Sequence, residues 1–195
     1  MIRTTRRRAV LLCAAWLALA LAIADGVEGC DNDSSTEGGG ARGASGRSED
    51  FAARATDFRN LRTMTKVRGF YIDNRRSHLA EALRVANSPK GGTYPVGTII
   101  QLVPQEAMVK RRKGFDPATN DWEFFFLSVS PTGTVIEVRG TDKVVNRFGG
   151  NCASCHSAAD PKFDFVCEHD HGCAPLPIGD DVIRIVQSID PRPVS

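Results

Sequence analysis

The mature part of this chain lacks a net charge. Residues 1–29 hold four of the 25 lysine and arginine side chains and two of the 23 acidic ones, which leaves 21 of each sign. The pI near 8.3 therefore belongs mostly to the N-terminal leader. A nucleic-acid-binding protein shows a basic excess or a basic stripe. No nucleic-acid partner is predicted.

The apolar run at 9–24 lacks the length of a comfortable membrane span, which needs about 20 apolar residues. Four arginines at positions 3, 6, 7 and 8 precede it. A basic start followed by a short apolar run is typical of a secretory signal peptide. We expect residues 1–29 to be this signal and the protein to lie on the periplasmic side of a bacterial membrane.

The leader ends at Val27-Glu28-Gly29-Cys30, where a small residue precedes a cysteine. A bacterial lipoprotein is cut and lipidated at such a cysteine, so a lipid on Cys30 is predicted to hold the protein at a membrane. Ordinary cleavage nearby, with a leftover thiol, is the alternative. Residues 30–50 are rich in serine, glycine and acidic residues with almost nothing to bury, and this composition is typical of a disordered tether.

Histidine is scarce, and one of the four histidines directly follows a cysteine pair in Cys152-Ala-Ser-Cys155-His156. In an exported protein this spacing is the attachment signature of a c-type haem. Cys152 and Cys155 would form thioethers with one haem, and His156 would bind its iron. A thioredoxin-like dithiol would need a βαβ setting. A zinc site would need further ligands, for which the chain offers Cys167, His169, His171 and Cys173.

No cysteine of the six is left without an assignment. Cys13 leaves with the signal, Cys30 takes the lipid, and two take the haem. Cys167 and Cys173 remain, and in an oxidising compartment a disulfide between them is the natural expectation. Metal binding by the segment 167–173 is the alternative.

No methionine follows Cys155, although ordinary small cytochromes c supply an axial methionine from downstream of the motif. Met64 and Met108 lie upstream. His169 and His171 lie 13 and 15 residues beyond His156, a distance that an extended chain at about 3.3 Å per residue could span. We expect an open sixth iron position, because neighbouring cysteines and acids give both histidines a structural explanation. An open position suits small ligands or oxidative chemistry, and a filled one suits electron transfer.

The pattern from residue 51 onward predicts helices first and strands later. Apolar residues at helical spacing predict a helix within 51–64, and Ser77 can cap a second helix that carries Leu79, Ala82, Leu83 and Val85. Strands are predicted at 98–103, 122–129 and 135–138, the last two joined by a turn at 131–133. The predicted fold class for 51–195 is α+β: an antiparallel β-sheet core with N-terminal helices and a C-terminal haem-binding loop.

Strand alternation assigns the aromatic residues of 122–126 to two faces. Trp122, Phe124 and Phe126 should share one face, with Glu123 and Phe125 on the other. Walls of a haem pocket could come from a larger aromatic supply: Phe124, Phe125, Phe126, Phe148, Phe163 and Phe165.

Five stretches together resemble the cytochrome P-460 family, which includes the c′-beta cytochromes. They are Tyr94-Pro-Val-Gly-Thr-Ile-Ile, Gly114-Phe-Asp-Pro, Asp121-Trp-Glu-Phe, the hairpin at Gly133, and the haem motif at 152–156. The resemblance covers roughly residues 65–180. It implies an antiparallel β fold with peripheral helices, a proximal histidine at His156, a haem c that is often five-coordinate and, as in many family members, a homodimer.

Family members differ in activity, and a lysine marks the difference. Some oxidise hydroxylamine and carry a lysine cross-linked to the haem; others bind nitric oxide or carbon monoxide without it. Here the strand after Gly97-Thr98 contains no lysine, and the nearest ones, Lys110 and Lys113, are expected in a solvated basic segment. No cross-link is assigned.

Three functions follow from these patterns. The first is a lipid-anchored cytochrome that transfers electrons to a redox partner protein or binds a small gas. The second is a haem enzyme that oxidises hydroxylamine or a related nitrogen compound, with Glu123 as a candidate acid or base. The third is a zinc-stabilised binding module.

Overall fold

One antiparallel sheet organises residues 49–194, the part of the chain that the computed structural model describes. The predicted signal peptide, the lipid on Cys30 and nearly all of the tether lie outside these residues. Within them, six strands pair in sequence order, each antiparallel to the one before it. The strands are β1 (Thr65–Val67), β2 (Phe70–Asn74), β3 (Thr98–Gln101), β4 (Glu106–Lys110), β5 (Trp122–Ser130) and β6 (Gly133–Gly140). This sheet confirms the predicted antiparallel α+β class.

The described helices are short. They are α1 (Leu79–Ala86), α2 (Cys152–His156) and α3 (Asp180–Ser188), with 3₁₀ turns at Ala55–Asp57, Leu61–Thr63, Pro117–Thr119 and Pro161–Phe163. No helix within residues 49–194 is long and apolar enough to cross a bilayer.

The sheet buries side chains on both faces. One face, here called the motif face, carries Ile100, Met108 and Phe124, and packs against α1 and against Cys152 and Ala153 of α2. The opposite face carries Ile99, Val109 and Phe125 and packs against the N-terminal segment. The predicted alternation along β5 is confirmed as far as Phe126, where a bulge shifts the register with β6.

The predicted helix within 51–64 is wrong, because the chain forms two 3₁₀ turns there. Asn60 lies between the two turns and caps the second one, because its Oδ1 accepts a hydrogen bond from Arg62 N. Its Nδ2 donates to the carbonyls of Asp190 and Arg192. An asparagine that bonds the backbone in this way competes with a continuous helix. Phe58 and Leu61 nevertheless reach the opposite-face core.

The second predicted helix is confirmed as α1, but Ser77 does not cap it. His78 occupies the N-cap position, and Ser77 has a positive φ of 63°. The Asn74 side chain instead accepts hydrogen bonds from Arg76 N and His78 N, so it supports the turn into the helix. The predicted strands at 98–103, 122–129 and 135–138 appear as β3, β5 and β6 with small differences at their ends.

Candidate functional site

The haem motif forms α2, a helix of little more than one turn. The Asn151 side chain caps it by accepting from Ser154 N at 2.9 Å, while its Nδ2 donates to the carbonyl of Asp142 at 2.7 Å. Residues three apart on a helix are neighbours on its surface, so Cys152 and Cys155 are presented together. Both are free thiols and half-buried.

His156 is oriented by a single hydrogen bond. Its Nδ1 lies 2.8 Å from the carbonyl oxygen of Phe165. A carbonyl only accepts, so Nδ1 carries the proton and Nε2 keeps its lone pair. A metal-binding histidine commonly has this arrangement, in which the second nitrogen donates to a carbonyl. Burial lowers the pKa of His156, which favours the neutral ring.

Apolar and aromatic side chains line the motif side of the sheet. The ring of Phe124 lies 5.2 Å from the His156 ring, and Phe126 and Phe165 pack against the same core. The other three expected aromatic residues differ: Phe125 lies on the opposite face, Phe163 stacks on His171 with ring centroids 3.5 Å apart, and Phe148 is 53% exposed.

Glu123 is not placed to act as an acid or base beside the motif. It lies in register with Val109 and on the opposite face from Phe124. There its carboxylate pairs with Arg111 and accepts from Arg139 at 2.7 and 2.8 Å. Alternation along β5 predicts that Glu123 and Phe124 lie on different faces of the sheet. The structure shows that Phe124 is the one that faces the motif.

Glu106 is the carboxylate that lies on the motif face. It stands opposite Phe126 at the start of β4 and accepts from Arg147 N at 3.2 Å. Burial raises its pKa. Cys152 is close enough for this charge to act on it: burial, and then the charge of Glu106, raise the pKa of the Cys152 thiol to about 11. Sequence reasoning missed Glu106 because it missed β4.

Lys110 is buried, so the expected solvated basic segment is wrong at this position. Its side chain is 6% exposed, and Nζ donates to Asp164 Oδ1 at 2.7 Å and to the Asn120 carbonyl at 2.6 Å. Arg111 is buried as well, whereas Arg112 and Lys113 are exposed. With its nitrogen held in this way, Lys110 does not offer a free amine to a haem.

The four candidates for a sixth iron ligand lie in different places. Met64 belongs to the opposite face and Met108 to the motif face, next to Phe124. His171 Nδ1 is bonded to the Val166 carbonyl at 2.8 Å, and its ring stacks on Phe163. The His169 side chain is 86% exposed and lies 3.7 Å from Asp180. His171 is therefore held by a backbone carbonyl and an aromatic ring rather than by a cysteine or an acid, and only His169 has the expected acidic neighbour, in an exposed contact.

Cys167 and Cys173 form a disulfide. This pairing confirms the expectation from cysteine arithmetic and removes both thiols from a zinc site. Across residues 49–194, no group of three or more histidine, cysteine or acidic side chains is arranged to hold a metal ion.

Comparison with known proteins gives no relative: no protein-family model, no curated protein and no solved structure matches this chain.

Proposed function

We propose that this protein is an exported c-type cytochrome with one covalent haem. Within that class, we propose a P-460-like cytochrome, held at the periplasmic side of a membrane through Cys30. It would transfer electrons or bind a small gas such as nitric oxide. The observation that carries the proposal is the arrangement of α2: two free thiols on one turn, followed by a histidine whose Nδ1 is bonded to Phe165.

The residues present fit a covalent haem. Cys152 and Cys155 would hold it, and His156 would offer Nε2 to the iron from a ring fixed by the Phe165 carbonyl and Phe124. The apolar motif face would exclude water from one side of the group. Haem c, when bound, supplies an iron centre that changes oxidation state or takes a diatomic ligand.

An open sixth position is the form that we favour. His171 is engaged through Nδ1 and by stacking, and His169 projects outward beside Asp180. Met64 packs in the core of the opposite face. Met108 is the one of the four candidates on the motif face, where it packs in the core beside Phe124. The placements of the other three support gas binding over electron transfer through a six-coordinate iron.

The first test is maturation of the full chain in a bacterium that carries a haem c assembly system. We expect the wild-type protein to retain haem on a denaturing gel and Cys152→Ser/Cys155→Ser to lose it. His156→Ala should keep the attached haem and change its optical spectrum, while the exposed His78→Ala should match wild type. A wild-type chain without covalent haem, folding only when zinc is added, would overturn the proposal in favour of a zinc module.

An optical titration with nitric oxide separates the two roles. A high-spin spectrum that responds to the gas indicates an open iron. An ordinary reduced c-type spectrum that ignores the gas indicates an electron carrier, with Met108, His169 or His171 returning as ligands. Membrane fractionation of Cys30→Ser against wild type tests the anchor, since only the lipidated chain should sediment with membranes.

Oxidation of hydroxylamine is the second candidate, and Glu106 is the observation that favours it. A half-buried carboxyl with a raised pKa on the motif face could exchange a proton with a nitrogen substrate. If the haem-loaded protein oxidises hydroxylamine, Glu106→Gln should lower turnover at least tenfold, and the exposed Glu137→Gln should not. Unchanged turnover in Lys113→Ala would exclude a cross-link from that residue.

A further inference from the structure

Asp164 is a buried residue whose hydrogen bonds connect the segment after α2 to the sheet. Its side chain is 2% exposed, and its carboxylate accepts from Lys110 Nζ at 2.7 Å, from the Tyr94 amide at 2.7 Å and from the Asn120 side chain. Its carbonyl accepts from Trp122 Nε1 at 2.6 Å. Lys110 and Trp122 face each other across the β4–β5 pair, so all four contacts belong to the sheet or its connections.

The backbone at Asp164 and Phe165 has a conformation that residues other than glycine rarely adopt. Asp164 and Phe165 have φ values of 53° and 69°, both in the left-handed region. A non-glycine residue there costs on the order of 1 kcal/mol or more and persists only where surrounding contacts hold it. Asp164 supplies those contacts. The result is a turn that directs the next carbonyl, that of Phe165, at His156 Nδ1.

We infer that the Lys110–Asp164 ion pair is a positioning device for the proximal histidine. The pair fixes the turn at 164–165, the turn fixes the Phe165 carbonyl, and the carbonyl sets the tautomer and direction of His156. Lys110 and Asp164 would thus act on a haem only through the Phe165 carbonyl and His156. This inference rests on the proposed function, because it assumes that His156 binds iron.

The chemistry gives the pair a measurable consequence. A hydrogen bond from Nδ1–H makes the imidazole a stronger donor to the metal, and such outer partners tune both ligand orientation and the metal. If the carbonyl moves away, the iron–histidine bond weakens and the ferric state loses stabilisation. The iron–histidine stretching frequency should therefore fall, and the reduction potential should rise.

Asp164→Asn is the variant that tests the device. The introduced amide nitrogen must replace either Oδ1, where it would face Lys110 Nζ and the Asn120 amide, or Oδ2, where it would face the Tyr94 N–H. Two donors meet in either orientation, so the turn should shift. Lys110→Met/Asp164→Asn is the second variant; it removes both charges and leaves no unpaired buried ion, whose cost is otherwise several kcal/mol. For both, we expect a lower ferrous iron–histidine stretching frequency and a higher potential than in the wild-type holoprotein.

Asp190→Asn is the matched control, because Asp190 also forms a buried ion pair, with Arg192. That pair contacts Asn60 and Leu61, which belong to the opposite side of the sheet. We expect lower stability and an unchanged haem signal. A holoprotein of Asp164→Asn with wild-type frequency and potential would overturn the inference, as would an equal shift in Asp190→Asn.

Nitrogen NMR of the haem-free protein distinguishes failure of this inference from failure of the proposed function. A wild-type chain that takes no haem contradicts the proposed function alone. In that chain, His156 should still show the Nδ1–H tautomer, and the two Asp164 variants should lose its dominance. A tautomer that is the same in all three proteins would contradict the positioning role.

Discussion

At the scale of single residues, Asp50 couples protonation to folding. Its carboxylate accepts from Arg111 at 2.6 and 3.1 Å and from the amides of Phe51 and Arg112. The hydrogen bond from Arg111 is the main reason that the pKa of Asp50 falls from 3.8 to about 2. Because the folded pKa is below the unfolded one, the stabilisation is present above pH about 4 and is lost as the pH falls toward 2.

Asp50→Asn should therefore destabilise the protein at neutral pH only. The pKa difference corresponds to about 2 kcal/mol, and solvent screening at this partly exposed pair reduces the effect to about 1 kcal/mol. Urea unfolding of both proteins at pH 7 and at pH 2 measures it. The two should differ at pH 7 and coincide at pH 2; an equal difference at both values would contradict the assignment.

Glu123 should contribute to the stability of the fold but not to the chemistry of the candidate site. Its buried carboxylate pairs with Arg111 and Arg139 away from the motif. Glu123→Gln leaves Arg111 with Asp50 alone, and loss of a buried partner costs about 3 kcal/mol. We expect that loss in urea unfolding, with an unchanged haem spectrum. Glu137→Gln, at an exposed position, should cost under about 0.5 kcal/mol, and a changed spectrum in Glu123→Gln would return Glu123 to the site.

At the scale of elements, sequence patterns predict the strands and turns that depend only on neighbouring residues. Strand β5 alternates strictly at 122–126, and the turn at 131–133 sets the hairpin with β6. The sequence pattern does not predict β4, because Lys110 and Arg111 indicate a basic, solvent-exposed segment at its end. Their burial depends on Asp164 and Asp50, which lie 54 and 61 residues away in the chain. No local pattern contains such partners.

Gly91 lies in the loop between α1 and β3, where this loop contacts the 3₁₀ turn Pro161–Phe163. It has a φ of +70°, and a β-carbon there would lie 2.0 Å from the Lys162 carbonyl oxygen. Gly92 N also donates to that carbonyl, so this loop fixes the 3₁₀ turn before Asp164. Gly91→Ala must therefore displace backbone near the candidate site.

Gly91→Ala should cost about 3 kcal/mol and reduce haem loading, because a steric clash adds to the strain of a positive φ. Gly114→Ala is the matched control: its φ is +80°, but no atom lies within 4 Å of the added carbon. That variant should cost about 1 kcal/mol and load haem normally. Thermal unfolding and a haem stain measure both effects, and equal losses in the two variants would show that strain alone decides.

At the scale of the whole molecule, the candidate site combines local and distant parts of the chain. The sequence identified Cys152, Cys155 and His156 because the motif is contiguous. It indicated Phe165 only as an aromatic wall of a haem pocket and not through its backbone carbonyl, a group that any residue could supply. Nor did it identify the Lys110–Asp164 pair, which exists only because β4 runs beside the turn that follows Phe163.

The last residues of the described chain close the opposite face of the sheet. Arg192, with a side chain 2% exposed, pairs with Asp190 and donates to the Phe58 carbonyl at 3.1 Å. Asp190 accepts from Leu61 N at 2.9 Å. Although burial would raise the pKa of Asp190, its hydrogen bonds from Arg192 and Leu61 lower it. These contacts connect the C-terminal segment to the two 3₁₀ turns over the opposite-face core.

Deletion of residues 190–195 should lower the free energy of unfolding by about 4 kcal/mol. It leaves the Leu61 amide and the buried Asn60 Nδ2 without their partners, removes the Arg192 hydrogen bond to the Phe58 carbonyl, and uncovers the Phe58 and Leu61 side chains. Deletion of 193–195 removes exposed Pro193 and Val194 but keeps the ion pair, so it should cost under about 0.5 kcal/mol. Urea unfolding of both truncated proteins gives the comparison. Because the ion pair lies across the sheet from α2, both should keep a wild-type haem spectrum, and equal stability of the two would contradict this role of the C-terminal segment.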